Sequence, residues 1–382
     1  MSPTDAMPRV AANLTFIEPR ALTGPGHYAV QVFEELTALA ETDALDFSLS
    51  GYVQDEARHH FSERANTRLA GVGALGGRAG RVAFEQVRLP FRSRQDGVSL
   101  LWSPAFVSPL WGAPKLVATI HDMYYEVVPE VVEPRQRRYW RTMIPLTARV
   151  CDALITVSEN SRADMLAHLP TSADRVFVTP LASRMHVADF AAGAPPIPGD
   201  YVLMVANTTP NKNCERVTAA MAALRDQGRA IRLVHIGNDV DGRLRAAADA
   251  AQLGDLLVSM GKVSEAVLAN AYRHCLATIV ASTYEGFGMP AAEAQAMGAP
   301  LICSDRSAVP EAAGGLDGGG ALFVDPLDTA AIAAAIARVA DDPALAATLS
   351  ARGLAQARTL SWRRTAEQTA AAFSAVLADG RR

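Results

Sequence analysis

Residues 282–298 read Ser282-Thr-Tyr-Glu285-Gly-Phe-Gly288-Met-Pro290-Ala-Ala-Glu293-Ala-Gln-Ala-Met-Gly298. They follow residues 276–281, a short apolar run rich in β-forming residues, which predicts a buried strand. An Ala-rich segment comes next, with Pro290 suited to the first helical position and Gly298 suited to the residue after a helix. The sequence therefore predicts a strand, a glycine turn and a helix N-terminus in direct succession.

This succession predicts a binding place for a phosphate group. The backbone amides of Gly286, Phe287 and Gly288 can point at an anion, which the positive end of the helix dipole also attracts. Glu285 lies on the turn, and Glu293 is expected in the first helical turn, facing the same mouth. Two carboxylates repel a phosphate unless they accept hydroxyl groups, so we expect a ligand that combines a diphosphate with sugar rings. Two surface glutamates around a helix start remain the alternative for the spacing alone.

The segment resembles the E-x7-E motif of retaining glycosyltransferases, and YEGFGMPAAEAQAMGAP is similar to family 4 of that group. The resemblance implies that Glu285 faces the donor sugar and that Glu293 holds the nucleotide ribose. It also implies that the turn from Gly286 to Met289 contacts the donor.

Bulk composition places the chain among soluble globular proteins. Its 382 residues are enough for two domains, with 49% hydrophobic and 20% charged residues. No apolar run reaches the roughly 18 residues of a membrane span. Residues 1–9 lack the apolar core of a signal peptide, so the protein is expected in the cytoplasm. Its four cysteines form no C-x-x-C pair and indicate neither disulfides nor zinc.

Charge is unevenly distributed along the chain. The net charge of −4 argues against general nucleic-acid binding. Residues 57–115 nevertheless carry nine Arg and Lys against three acids, Glu63, Glu85 and Asp96. This basic segment, or the basic-aromatic segment 135–141, could contact the inner face of the cell membrane peripherally. An ordinary solvated surface and a plain amphipathic helix remain the alternatives.

The first half begins with another strand, glycine turn and helix. Residues 14–17 are predicted as the first strand, and apolar residues at helical spacing follow Gly24 and Gly26. Both glycines would let the backbone approach a ligand closely, although an ordinary βα turn fits as well. The resemblance implies a glycine loop that lies across the cleft from the donor phosphates.

Further along, residues 62–98 are predicted as a mobile acceptor-side loop followed by a helix. Residues 100–103 and 115–120 are predicted strands, and the second ends at His121 and Asp122. Polar residues at the carboxyl end of a parallel strand lie where open α/β sheets bind ligands. The resemblance implies that His121 lies near the donor sugar and that Asp122 has an acceptor or structural role. A purely structural histidine is the alternative.

The second half restarts after a segment rich in Pro and Gly, and its first turn carries Lys212. The Lys212 ammonium could neutralise a leaving diphosphate, unless it is an ordinary surface lysine. The turn resembles the family's lysine-asparagine turn, but Asn207 stands where many members have arginine. Catalysis is then weaker, or another arginine contributes. The resemblance also implies that the backbone near Lys262 and Val263 meets the base.

The two similar halves predict two doubly wound α/β domains. The resemblance implies the GT-B architecture, with two Rossmann-like domains facing across a cleft and a C-terminal helix crossing back to the first domain. The predicted boundaries are 1–185 for the acceptor-side domain, 186–200 for the linker, 201–360 for the nucleotide-sugar domain and 361–382 for the crossing helix.

The implied function is transfer of a hexose, with retention, from a nucleotide-diphosphate sugar to an acceptor hydroxyl. Similarity to bacterial surface-polysaccharide members favours GDP-mannose as the donor, with UDP- or dTDP-sugars as alternatives, and a lipid-linked saccharide as the acceptor. This prediction assumes that the sequence has no Asp-x-Asp metal-binding motif, and it therefore requires no metal ion. It implies no cofactor. A nucleotide-sugar 2-epimerase and a non-catalytic sugar- or partner-binding protein are the rival functions.

Overall fold

A computed structural model describes residues 7–20, 22–62, 64, 67–112 and 115–379. Residues 1–6 and Glu63, on which the signal-peptide argument and the charge count partly rest, lie outside that range. The chain divides into two compact units. The first comprises Met1–Glu126, Glu133–Leu181 and Trp362–Arg382, and the second comprises Val127–Val132 and Ala182–Ser361.

The first unit is built on a parallel sheet that has seven strands among the described residues. The strands are β1 (Arg9–Asn13), β2 (Ser48–Val53), β3 (Thr67–Gly71), β4 (Leu100–Ser103), β5 (Lys115–Thr119), β6 (Ala153–Thr156) and β7 (Val176–Val178). Their order in the sheet is β3-β2-β1-β4-β5-β6-β7. The order reverses between β1 and β4, and the carboxyl ends of the strands at such a switch point form the usual ligand crevice.

Six helices precede the linker region in the described chain. They are α1 (Gly24–Glu41), α2 (Gly77–Ala83), α3 (Leu89–Gln95), α4 (Tyr124–Val127), α5 (Pro134–Val150) and α6 (Glu159–His168). A π-helical turn, Phe84–Arg88, joins α2 to α3.

The second unit repeats the architecture with six described strands. They are β8 (Tyr201–Val205), β9 (Arg232–Ile236), β10 (Leu257–Ser259), β11 (Ala277–Val280), β12 (Leu301–Ser304) and β13 (Leu322–Val324). The sheet is parallel in the order β10-β9-β8-β11-β12-β13, so its switch point lies between β8 and β11. Its core includes Val202, Leu233, Ile279 and Ile302, all at most 2% exposed. Strands covered on both faces read as the continuous apolar runs seen in the sequence.

The helices of the second unit cover both faces of that sheet, and the last helix of the chain belongs to the first unit. They are α7 (Cys214–Asp226), α8 (Arg243–Ala250), α9 (Glu265–His274), α10 (Met289–Ala296), α11 (Val309–Ala312), α12 (Thr329–Asp341), α13 (Pro343–Ala357) and finally α14 (Trp362–Ala378). Helix α14 packs along α1, and its Phe373 ring lies 5.5 Å from the buried Trp102 ring. The predicted return of the C-terminal helix to the first domain is thus confirmed.

Two local predictions were wrong. The first strand is Arg9–Asn13, while the more strongly β-forming residues 14–17 lie in the loop after it. Segment 62–98 contains β3, α2, the π-helical turn and α3 rather than a loop and one helix. In both places pairing within the sheet overrode local propensity, because β1 hydrogen-bonds to strands on both sides and β3 pairs with β2.

Candidate functional site

The turn after β11 positions Glu285 through its backbone. The Glu285 amide donates to Ser307 Oγ at 3.1 Å, and the same hydroxyl donates to the Glu285 carbonyl at 2.8 Å. Asn211 Nδ2 donates to the Tyr284 carbonyl at 3.0 Å. Two neighbouring loops therefore fix the backbone of residues 284 and 285, and this fixes the orientation of the Glu285 side chain.

The Glu285 side chain forms an ion pair with Lys212. The Lys212 ammonium lies 2.5 Å from Glu285 Oε1, and both side chains are largely buried. Ser282 Oγ donates to the same carboxylate oxygen at 2.6 Å. Lys212 ends a 3-10 turn after β8, so the two switch-point strands each contribute one charge. The sequence predicted both residues for the site but not that they pair.

Asn213 anchors the turn that carries Lys212. It adopts a left-handed conformation with φ of 58°, which asparagine tolerates better than most residues. Its Nδ2 donates to the Ala281 carbonyl at 3.1 Å and to the Pro326 carbonyl at 2.6 Å. The lysine turn is thereby tied to the end of β11, which keeps Lys212 beside Glu285.

Glu293 has a different environment from Glu285. It is the fifth residue of α10, so its predicted place in the first helical turn was wrong. It is 4% exposed, its Oε1 accepts from Arg184 Nη2 at 3.1 Å, and its Oε2 accepts from the Tyr272 hydroxyl at 3.3 Å. Burial raises the pKa of Glu293 above its ordinary value, and the Arg184 charge opposes that shift.

The glycine turn between these glutamates has the predicted form. Gly288 has φ of 105° immediately before α10, and a Cβ there would lie 3.4 Å from Ala312 Cβ and from Val309 Cα. The positive φ favours glycine here, whereas the 3.4 Å contacts would by themselves allow a Cβ. Gly298 follows the helix with φ of 75°, as predicted, whereas Pro290 occupies the second helical position rather than the first. Phe287 is buried, so that only its backbone can meet a ligand.

The remaining candidates of the second unit lie on the loops that follow β8 and β10. Asn207 is exposed, and its Oδ1 accepts from the Asn238 amide at 3.0 Å, which links two strand-end loops. Lys262 is exposed and Val263 is half-buried in the turn before α9. Because β9 separates β10 from β8, the structure does not bring Lys262 into the Lys212–Glu285 pair.

The assumption that the chain lacks an Asp-x-Asp sequence was wrong, since Asp239-Val-Asp241 is one. Asp239 caps the start of α8, where its carboxylate accepts from the amides of Leu244 and Arg245 and from the Thr208 hydroxyl. These bonds lower the pKa of Asp239, although burial opposes them. The described residues hold no group of three or more His, Cys, Asp or Glu side chains suited to a metal ion.

In the first unit, the helix that begins at Gly24 contacts His121 through Tyr28. Gly24 and Gly26 form the first turn of α1, where Thr23 Oγ1 accepts from the Gly26 amide at 3.4 Å. The Tyr28 ring of the same helix meets the His121 ring edge-on at 4.7 Å. Asp122 Oδ1 accepts from the Tyr124 amide at 3.2 Å, which is a structural role at the start of α4.

His121 is held as a neutral imidazole. It is 8% exposed, and burial lowers its pKa from 6.5 to about 4. Its Nε2 lies 2.9 Å from the Pro104 carbonyl, which can only accept, so Nε2 carries the hydrogen. Nδ1 is then the ring nitrogen without a hydrogen, which can act only as an acceptor.

We expect the His121 side chain to remain in its neutral Nε2–H form from pH 8 down to pH 5. The lowered pKa means that protonation requires burying a charge, so the stability contributed by neutral His121 is lost only as pH falls from about 6.5 towards about 4. Long-range proton–nitrogen NMR measures both the tautomer and the titration. A titration step near pH 6.5, or a hydrogen on Nδ1, would contradict this assignment.

Gly24→Ala is expected to stabilise the fold while lowering activity. A Cβ at Gly24 would meet no atom within 4 Å, and helical alanine is favoured over glycine by up to about 1 kcal/mol. The fold therefore does not need this glycine, and we expect the added Cβ to hinder a ligand that approaches the backbone. Thermal unfolding and turnover together test this. Ala344→Gly, in the first turn of α13, is the matched control and should change stability alone.

Several residues of the site were not found from the sequence. Arg184 falls in segment 180–200, which has no periodicity, and Tyr272 reads as a core residue of α9. Ser282 and Ser307 carry no signal of their own, because serine is common in turns. Ser282 and Ser307 are recognised as part of the site only because the structure shows them in contact with Glu285.

Two doubly wound parallel sheets match the GT-B fold of glycosyltransferases. Solved structures confirm this fold over nearly the whole chain. Sucrose-phosphate synthase from Thermosynechococcus elongatus matches with a TM-score of 0.75 and 21% identity over 97% of this chain and 99% of that one. WaaG, a glycosyltransferase involved in lipopolysaccharide biosynthesis, matches with a TM-score of 0.69 and 14% identity. The match covers 94% of this chain and 98% of that one.

The chain belongs to the glycosyl transferases group 1, in glycosyltransferase family 4. The model of Glycosyltransferase Family 4 matches residues 39–182, and that of Glycosyl transferases group 1 matches residues 189–356. O-antigen chain mannosyltransferase B of Escherichia coli is 26% identical over 371 residues, covering 92% of this chain and 96% of that protein. MMP alpha-(1->4)-mannosyltransferase of Mycolicibacterium hassiacum is 27% identical over 276 residues, covering 69% of this chain and 66% of that protein. The family predicted from residues 282–298 is confirmed.

Proposed function

We propose that this glycosyltransferase moves a hexose, with retention and without a metal ion, from a nucleotide-diphosphate sugar to a saccharide hydroxyl. The observation that carries the proposal is the Lys212–Glu285 pair beside the glycine turn at the second switch point. There, a cation, a carboxylate and the start of a helix meet, which suits a ligand with both phosphates and hydroxyls.

In the proposed mechanism, Lys212 and the amides of Gly286–Met289 stabilise the departing diphosphate. When the donor binds, its phosphate oxygens replace Glu285 as the partner of the ammonium, and Glu285 is released to accept a sugar hydroxyl. The leaving phosphate takes the proton of the acceptor hydroxyl. His121 accepts a hydrogen bond from a sugar hydroxyl through Nδ1, in keeping with its neutral form.

The other candidates have binding roles in this proposal. Glu293 accepts from the ribose hydroxyls, and Arg184 supplies the second cation that Asn207 does not. The backbone at Lys262 and Val263 meets the base, and the exposed backbone at Gly24 allows close approach of the donor. Residues 1–185 would serve the acceptor and residues 201–360 the donor.

GDP-mannose is the proposed donor, because the two similar proteins described above are named as mannosyltransferases. A lipid-linked saccharide of a surface polysaccharide is the proposed acceptor, which the O-antigen relative supports. Both rival functions lack support of this kind. The 2-epimerase would convert the donor with no acceptor present, and the binding protein would not turn it over.

The proposed location is the cytoplasm, with peripheral contact to the membrane through the surface formed by Val87, Arg88, Phe91, Arg94 and Trp111. Val87 and Phe91 are each 53% exposed and Trp111 is 44% exposed, with both arginines exposed beside them. Apolar side chains flanked by arginines suit an anionic lipid surface. No helix within the described ranges is long and apolar enough to cross a bilayer.

The basic-aromatic segment 135–141 supports membrane contact less well. Its Trp140 ring packs at 5.7 Å on Phe106 and at 5.4 Å against Tyr124, so it faces the protein interior. The plain amphipathic helix is the alternative that fits α5.

Thermal unfolding with GDP-mannose, UDP-sugars and dTDP-sugars tests the donor. A ligand that binds only the folded state raises the melting temperature, and the effect is about 2.7 kcal/mol at a hundredfold excess over Kd. GDP-mannose should give the largest rise, and proton NMR of the product should show the anomeric configuration of the donor with EDTA present. A larger rise in melting temperature with another nucleotide sugar would identify that sugar as the donor in place of GDP-mannose. A product with inverted anomeric configuration, or loss of turnover in EDTA, would contradict the proposed mechanism.

A further inference from the structure

The first unit has a groove on the face of its sheet that is opposite to α1. A Cβ at Gly51 of β2 would lie 3.2 Å from the Phe33 ring of α1, so the neighbouring residues of β2 point to the other face. The groove has a volume of 430 Å³, within the range of roughly 300–1,000 Å³ that small-molecule sites occupy. Its polar lining comes from Arg9, Ser48, Ser50, Tyr52, Arg68 and Asp96.

This groove is separate from the candidate site residues of the first unit. Arg9 and Ser48 are the first residues of β1 and β2, so the groove extends to the amino ends of these strands. His121, by contrast, follows the carboxyl end of β5. Doubly wound sheets usually bind ligands at the carboxyl ends of their strands, so the fold by itself does not predict a ligand in this groove.

The end of helix α3 forms one wall of the groove and neutralises its only carboxylate. Tyr52 donates its hydroxyl hydrogen to Asp96 Oδ2 at 2.9 Å, and Arg9 Nη1 donates to the Asp96 carbonyl. Arg92 Nε lies 3.7 Å from Asp96 Oδ2, and the Arg92 guanidinium lies 5.5 Å from the centre of the Tyr52 ring. The charge of Asp96 is therefore balanced within the wall, and the positive charges of the other lining residues remain.

The edge strand β3 forms the opposite side of the groove, and two of its carbonyls are already bonded. Arg58 Nη2 donates to the Leu69 carbonyl at 2.9 Å, and Arg92 Nη1 donates to the Gly71 carbonyl at 3.1 Å. An added strand from a partner would need such acceptors at the sheet edge. The groove is therefore better suited to a small molecule than to a peptide strand.

Two arginines face the groove with free hydrogen-bond donors. Across the part of the chain that the structure describes, the exposed Arg68 side chain has no ion pair or hydrogen bond, and Arg9 uses only Nη1. Arg9 pairs with Ser48 and Arg68 with Ser50, so their Cα atoms are about 12 Å apart at ordinary strand spacing. Guanidinium groups on two sides of one groove suit a phosphate, which accepts several N–H groups at once.

The serine hydroxyls between these arginines have the opposite preference. Ser50 Oγ donates to the Val10 carbonyl at 3.2 Å, and Ser48 Oγ donates to the Pro8 carbonyl at 3.4 Å. A carbonyl can only accept, so the hydrogen of each hydroxyl is used and its oxygen can accept from a ligand. These oxygens repel a bare anion but match ligand hydroxyls. The groove thus combines donors for an anion with acceptors for hydroxyl groups.

We propose that this groove binds a phosphorylated polyol, with the phosphate on Arg9 and Arg68 and the hydroxyls on Ser48 and Ser50. Such a group occurs in free sugar phosphates and in the phosphoglycerol headgroup of anionic lipids. Helix α3, which forms the wall, also carries Phe91 of the surface proposed to contact the membrane, so the headgroup is a source as well as the free metabolite. The inference does not depend on the proposed function.

Isothermal titration calorimetry with mannose 6-phosphate, glucose 6-phosphate, inorganic phosphate and methyl α-mannopyranoside tests the soluble source. At least one hexose phosphate should bind more tightly than inorganic phosphate or the uncharged glycoside, because only the hexose phosphates offer both groups. Arg68→Ala should raise its Kd by about tenfold or more. Arg149→Ala removes an exposed arginine of α5 outside the groove, and this matched control should change the Kd by less than about twofold.

Ser50→Ala tests recognition of the hydroxyls. It should raise the Kd for the hexose phosphate by about fivefold and leave the Kd for inorganic phosphate nearly unchanged, because only the former donates to Ser50. Lys212→Ala should leave the Kd for the hexose phosphate unchanged, which separates the groove from the phosphate-binding place predicted beside α10. The melting temperature of each variant, measured in parallel, shows that it is folded.

Cosedimentation with phosphatidylcholine vesicles, with and without phosphatidylglycerol, tests the lipid source. Arg68→Ala should weaken binding to the phosphatidylglycerol vesicles more than Arg149→Ala does, and mannose 6-phosphate should compete. Hexose phosphate binding without this vesicle response identifies a free metabolite as the ligand. Vesicle binding that depends on Arg68, without hexose phosphate binding, identifies the lipid headgroup. Both results support the shared chemistry.

The inference is overturned if neither the hexose phosphates nor the phosphatidylglycerol vesicles bind in a way that depends on Arg68. Equal losses in Arg68→Ala and Arg149→Ala would overturn it too, because they indicate a general effect of charge. Inorganic phosphate that binds as tightly as the hexose phosphates, or an unchanged Kd in Ser50→Ala, would remove the polyol. Failure of the proposed function is seen separately, as absence of nucleotide-sugar turnover.

Discussion

Lys212→Ala is expected to lower kcat by about 10²–10³. It should also lower the melting temperature, because Glu285 loses the partner of a largely buried ion pair. The Lys212 ammonium would stabilise charge that develops on the leaving diphosphate, and removal of one such group in a preorganised site typically costs this factor. The loss should appear mainly in kcat, because the interaction strengthens in the transition state. Steady-state kinetics with varied donor and saturating acceptor measure it. Lys212→Arg keeps the charge and should recover part of the rate.

The control for Lys212→Ala is Arg229→Ala, which removes a cation from a surface ion pair with Asp341 in the same unit. It should leave kcat unchanged. Glu285→Ala is the companion variant, because Glu285 shares its carboxylate between Lys212 and Ser282. Near-normal turnover in both Lys212→Ala and Glu285→Ala would remove the proposed mechanism.

Glu293→Ala is expected to lower the free energy of unfolding by about 3 kcal/mol at pH 7. Breaking a buried ion pair costs about 3–5 kcal/mol, and the lower end applies because Arg184 keeps 28% of its side chain exposed. The Tyr272 hydroxyl loses its acceptor as well. Urea unfolding measures the loss, and a change below about 0.5 kcal/mol would show that the pair does not hold this region together.

Glu293→Gln is the matched variant and should lose only about 1 kcal/mol, because the amide still accepts a hydrogen bond. The raised pKa of Glu293 gives the sign of the pH dependence. Its contribution to stability is greatest below the unfolded pKa and falls as pH rises through the folded pKa. The difference between wild type and Glu293→Gln should therefore shrink with rising pH. Weaker nucleotide binding by this folded variant would support the ribose contact.

Much of the second unit could be predicted from local sequence. The apolar run before Ser282 and the residues Gly288 and Gly298 define β11, the turn and α10, because each needs a particular backbone conformation. What could not be predicted is how distant side chains meet. Glu293 was expected to face a ligand mouth, but its partner Arg184 is 109 residues earlier in a segment without periodicity.

The first unit shows the same limit for secondary structure. Arg9–Asn13 contains two alanines and is a weaker β-former than residues 14–17, yet it forms a central strand because both its neighbours pair with it. Segment 62–98 is rich in glycine and arginine, and its π-helical turn has no sequence signature. This part of the first unit therefore depends on tertiary structure that sequence patterns do not encode.

Helix α14 has a consequence for the order in which the chain folds during synthesis. All elements of the second unit have left the ribosome once Ser361 has emerged, whereas the first unit, begun earlier, still lacks the helix that covers Trp102 and Phe47. The amino-terminal half must therefore wait with an uncovered aromatic surface until α14 has been synthesised. The first unit is therefore completed after the second, although most of its residues are made earlier.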